Sequence, residues 1–112
     1  MSVNERREFM DKNEEKLAIL VKKLGNSATE IADNLHKMGC LGKILADEDD
    51  PLASYLKMHG YLFPSVFLSY IVTFPPEDEG DELIEVENTE EVTKFIENFD
   101  NEKYPNLISE EK

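Results

Sequence analysis

Ser65-Val-Phe-Leu-Ser-Tyr-Ile-Val-Thr-Phe74, followed by Pro75-Pro-Glu-Asp-Glu-Gly-Asp-Glu82 and then Leu83-Ile-Glu-Val-Glu87, decides the fold. The first segment is rich in β-branched and aromatic residues and is apolar on both of its faces, the composition of a central strand. Pro75 and Pro76 end it. The third segment alternates inward Ile84 and Val86 with outward Glu85 and Glu87, the period of a strand with one dry and one wet side. The acidic turn around Gly80 is too short for a parallel crossover, so an antiparallel hairpin over about 65–74 and 83–87 is predicted. A strand apolar on both sides needs cover on both faces, from helices or from a second copy of the chain.

Helical patterns flank this hairpin. Over residues 4–24, Leu17, Leu20, Val21 and Leu24 recur at helical spacing, with Phe9 and Met10 further upstream, and Gly25-Asn26 stops the run. Ser27-Ala-Thr-Glu30 is a capping-box pattern, in which the Ser hydroxyl takes an amide at the start of the next helix and the Glu reaches back. That helix is predicted to bury Ile31, Ala32, Leu35 and Met38 and to end at Gly39. Cys40–Ala46 is apolar but short and glycine-broken, a loop over the core or a short strand. Pro51 directly after Asp47-Glu-Asp-Asp50 marks the first turn of a short helix that Gly60 closes. Asn88 or Thr89 is expected to cap a last helix with Val92, Phe95, Ile96 and Phe99 on one face. Tyr104, Leu107 and Ile108 in the tail are expected to pack back. The sum is an α+β fold: one domain over residues 1–112, a small antiparallel sheet against about four helices, and flexible ends near 1–4 and 109–112.

Charge is distributed unevenly over that frame. Residues 1–60 carry nine Lys/Arg against eleven Asp/Glu, and residues 61–112 carry three against fourteen, so most of the net −13 lies in the second half. Such a field repels phosphate backbones and anionic membranes and favours a basic protein partner or cations. The surface expected to meet that partner comprises Glu77, Asp78, Glu79, Asp81, Glu82, Glu85 and Glu87. Nucleic acid and membrane are not expected partners, and a homo-oligomer stays open because of the two-sided apolar strand. The charged start of the chain does not read as a signal peptide, and a single cysteine, Cys40, forms no internal disulfide, so a cytoplasmic protein is expected.

Other chemistry is thinly supported. Thr29-Glu-Ile-Ala-Asp-Asn-Leu35 has the pattern of a first helix in a helix-turn-helix, but an apolar segment and four acids follow where a basic reading helix belongs. A basic patch from Arg6, Arg7, Lys22, Lys23, Lys37 and Lys43 is what a DNA-binding regulator requires. His36 and Cys40 share a helical spacing but are separated by Gly39, and with His59 they make three His/Cys ligands where structural zinc usually takes four. An EF-hand frame from Asp47 places Leu52 at the glycine position and Met58 at the bidentate glutamate position. Both acidic clusters are therefore read as solvated, one as a helix cap and one as a hairpin turn, and no cofactor or metal is expected.

Ser27–Lys43 followed by Pro51-Leu-Ala-Ser-Tyr-Leu56 resembles a group of small uncharacterised bacterial proteins. These share a Ser-x-x-Glu-Ile-Ala-x-x-Leu helix, a Gly-x-x-Gly turn and a Cys-Pro-Leu-Ala-x-Tyr-Leu segment, in which Asp50 here replaces the cysteine. The resemblance implies the placement of two helices and no activity. The chain therefore reads as a non-enzymatic interaction or regulatory module with an acidic C-terminal half. The alternative is a small enzyme or metal-dependent regulator using carboxylates with His36 or His59, ahead of a DNA-binding regulator.

Overall fold

A computed structural model describes residues 12–109. Helices α1 (Lys12–Lys22), α2 (Ala28–Lys37) and α3 (Pro51–Met58) precede strands β1 (Leu62–Val66), β2 (Tyr70–Phe74) and β3 (Ile84–Glu87), and helix α4 (Glu90–Asp100) follows. The strands form one antiparallel sheet in the order β1-β2-β3. Helices pack with this small sheet, so the expected α+β class is present. The expected helix before residue 12, with Phe9 and Met10, lies outside the described residues, as do the chain ends 1–4 and 110–112.

The helix ends follow from local chemistry. Ser27 Oγ accepts from the Glu30 N–H at 3.1 Å, and Glu30 Oε1 accepts from the Asn26 N–H at 2.7 Å, one residue earlier than in the usual capping box. At the other end of α2, Gly39 has φ +73°, its N–H donates to His36 O, and the Cys40 N–H donates to Leu35 O. That paired closure needs a left-handed residue, which glycine supplies without strain. Met38 is therefore the C-cap and sits exposed, a correction to its place among the buried positions. The α4 terminus repeats the closure through Glu102 and Lys103, which donate to Phe99 O and Asn98 O. Here the left-handed residue is Glu102, at φ +62°. Glu102→Gly is expected to raise stability by about 1 kcal/mol, because a Cβ is strained in that conformation. A urea midpoint that does not rise contradicts this.

The α1 terminus is held from outside. Its carbonyls at Leu20 and Leu24 accept from Tyr55 Oη at 2.7 Å and Asn34 Nδ2 at 2.6 Å, so α3 and α2 satisfy groups that a helix end leaves unpaired. Leu17, Leu24, Ile31, Leu35, Leu52, Leu56, Phe95 and Phe99 are fully buried in one apolar cluster. The tail returns as expected, with Leu107 buried and Tyr104 and Ile108 against the core. Cys40–Ala46 is a loop joined to that tail: the Gly42 N–H donates to Leu107 O and the Ser109 N–H to Gly42 O.

The stretch 65–74 is not one strand. It turns at Phe67-Leu68-Ser69, and its two halves pair with one another as parts of β1 and β2. The turn is fixed from a distance: Asn88 Nδ2 donates to Phe67 O and Leu68 O, and Thr93 Oγ1 donates to Leu68 O. Asn88 is thereby taken from the role of helix cap, and Thr89 occupies the α4 N-cap without a side-chain bond. The predicted pairing of 65–74 with 83–87 holds for β2 and β3, with Ile71 opposite Val86 and Val72 opposite Glu85.

Candidate functional site

Alternation along β3 places Ile84 and Val86 in the core and Glu85 and Glu87 in solvent. The two carboxylates project from the same side of a strand whose inner side is packed, roughly 7 Å apart along the chain. Opposite them on β2 stand Val72 and Tyr70, so the acids border the outer sheet face directly. Upstream, the turn is a short 3-10 segment, Glu77–Glu79, ended by Gly80 at φ +124°. Glu77, Asp78, Asp81 and Glu82 are exposed there. Glu79 differs: it is half-buried, its Oε1 accepts from Lys16 Nζ at 2.8 Å, and its carbonyl accepts from Asn13 Nδ2 at 3.1 Å. The pair raises the Lys16 pKa through the hydrogen bond first and the charge second. Of the seven acids expected at the surface, six face solvent, and Glu79 fastens the turn to α1.

The second acidic cluster is not uniformly solvated. Asp50 is 3% exposed, and its Oδ1 accepts from the Leu52 N–H at 2.8 Å as the N-cap of α3. Burial pushes its carboxyl up to about 7 against the pull of that hydrogen bond, and the charges of Asp100 and Asp47 push the same way. The expected solvated cap is therefore a core residue, while Asp47, Glu48 and Asp49 around it are exposed or nearly so. Among the described residues, no three His, Cys, Asp or Glu side chains converge to hold a metal ion.

The residues of the other readings are only partly brought together: His59 shares a cleft with the Glu79 carboxylate, and His36 and Cys40 do not line it. Cys40 is buried, with its thiol pKa raised by burial, and His36 is exposed. His59 packs edge-on against Tyr55 at 4.9 Å and lines a cleft of about 300 Å³ with Lys16, Lys23, Tyr61 and Glu79. Among the described residues, no Ser, Thr or Cys lines that cleft. The Tyr61 phenol is pushed up by burial and by Glu79, which keeps it neutral. Lys22 lies instead on a cavity of about 100 Å³ beneath β3, so Lys22 and Lys23 face different places. Arg6 and Arg7 fall outside the described residues. Among the described residues, no helix is long and apolar enough to cross a membrane. Comparison of the chain with protein-family models, with curated proteins and with solved structures finds no match.

Proposed function

We propose that the chain is a non-enzymatic binding module for a basic protein partner, which meets the 77–82 turn and the outward side of β3. The observation that carries it is the projection of Glu85 and Glu87 from a strand whose alternate residues are locked in the core. The strand backbone that carries these carboxylates is already ordered, so pairing with Lys or Arg costs side-chain freedom alone, and aligned charge steers encounter. Glu77, Asp78, Asp81 and Glu82 extend the same field with no Lys or Arg between residues 77 and 87. A single buried thiol suits a reducing compartment such as the cytoplasm.

Full-length chain used as bait at low salt is expected to capture basic proteins, and the capture to weaken steeply as salt rises. The double variant Glu85→Lys with Glu87→Lys should lose at least about tenfold in affinity for whatever is captured. Binding that ignores both salt and charge reversal rules the reading out.

A further inference from the structure

The sheet has a second side that the described helices leave open. Val66, Ile71, Thr73, Ile84 and Val86 face inward, so the intervening residues face out. Tyr70, Val72 and Phe74 run down the middle of that outer face. Phe67 lies beside Tyr70 with ring centroids 4.9 Å apart, and Phe63 meets Phe74 edge-on at 6.4 Å. Leu83, next in the alternation after Glu87 and Glu85, is 58% exposed. An apolar sheet face is normally buried against another layer.

Phe63 is the least economical residue on this face. It is 79% exposed and has φ +51°, where the register between β1 and β2 slips. A bulky side chain is strained in that conformation, and such strain concentrates where function requires it. Beside it lies a cleft of about 500 Å³ lined by Leu62, Phe63, Pro64, Tyr61, Lys57 and Glu48.

Building on the binding reading above, we propose that this outer face docks the apolar side of a basic amphipathic helix. The apolar stripe of the helix lies over Tyr70, Val72 and Phe74, and Lys or Arg on its flank meets Glu85 and Glu87. Charge complementarity selects this occupant, because the two carboxylates are the direct cross-strand neighbours of Val72 and Tyr70. A second copy is a poor match: it brings its own net −13 and sets the same glutamates against themselves. An added strand is disfavoured at β1, where Pro64 has no N–H and the Val66 N–H is already given to Asp47 O.

The test uses the full chain and labelled peptides of Leu and Lys, each about 18 residues long, followed by fluorescence anisotropy. One peptide places Leu along a helical stripe, a second has the same composition scrambled, and a third is the striped peptide with Glu for Lys. The striped basic peptide should bind at least roughly tenfold tighter than the scrambled one, and the Glu peptide should not bind. Val72→Ser and Phe63→Asn, checked for folding by circular dichroism, should abolish the striped peptide's advantage and leave the scrambled peptide's affinity unchanged. Equal binding of both basic peptides, untouched by these variants, overturns the docking face but leaves the charge reading standing. Binding of neither overturns both. Sedimentation as a dimer that Val72→Ser dissociates assigns the face to a second copy and overturns the helix proposal.

Discussion

At about pH 8, the Asp50→Asn variant is expected to be more stable than the parent chain by on the order of 4 kcal/mol, and the two should converge near pH 4. The carboxyl titrates at 3.8 when unperturbed and at about 7 in the fold, because burial disfavours its charged form. Between those values the unfolded chain has released the proton and the folded chain still holds it. The contribution of Asp50 is thus fully present below 3.8, is lost as pH rises towards 7, and is flat above. Asn keeps a side-chain oxygen for the Leu52 N–H and removes the ionisation. The difference between variant and parent isolates this residue from the other carboxylates, whose titration is common to both. Urea midpoints of both chains across this range check the expectation. A difference that stays constant with pH contradicts it.

Gly42→Ala should be the most damaging small substitution, costing about 3 kcal/mol. A Cβ at this position would run into Asp49 O, Pro51 N and the Asp50 carbonyl carbon, all of them backbone atoms that no rotamer change can clear. The same spot anchors three hydrogen bonds, from Gly42 to Leu107, from Ser109 to Gly42 and from Lys43 to Asp49. Moving the 49–51 backbone also disturbs the Asp50 cap. Gly39 provides the contrast: its φ is +73° but a Cβ there meets nothing within 4 Å, so Gly39→Ala should cost only about 1–2 kcal/mol. Thermal or urea unfolding of the two variants gives the ordering, and Gly39→Ala proving the worse contradicts the account.

These two sites mark where the chain is and is not legible from its sequence. The caps at Ser27 and Asp50 and the stops at Gly39 and Gly60 can be read because each rests on hydrogen bonds spanning a few residues. The buried faces of α4 and β3 can be read for the same reason, since their periods are set by local geometry. The division of 65–74 into two strands cannot. Phe67-Leu68-Ser69 carries no glycine, proline or asparagine, and besides the local bond from the Phe67 N–H to Tyr70 O the groups that hold it, Asn88 and Thr93, come from 20 or more residues away. The depth of Asp50 is hidden too, because three other acids beside it suggest water, whereas tertiary packing closes over only that one. For the surface acids, composition alone treats Glu79 like its neighbours, and only the approach of Lys16 on α1 separates it.

The division has a consequence for the candidate surface. A single two-sided strand would need helices on both faces, whereas three strands with one packed face leave an outer face that no described helix covers, bordered by Glu85 and Glu87. The acidic turn leads into β3 and is fastened to α1 through Glu79. Gly80 at the end of the turn, and the Lys16–Glu79 pair behind it, set how the turn is presented. The pair itself is largely exposed, so solvent screening leaves it a minor contributor to stability.

The most direct measurement of the central claim is an amide NMR titration of the full chain with an unstructured poly-lysine peptide at low salt, repeated at high salt. Shift changes should concentrate on residues 77–87 and on their β2 neighbours Tyr70 and Val72, and disappear at high salt. Changes spread evenly over all exposed acids, with Glu48, Glu90 and Glu97 responding as strongly as Glu85 and Glu87, would contradict it.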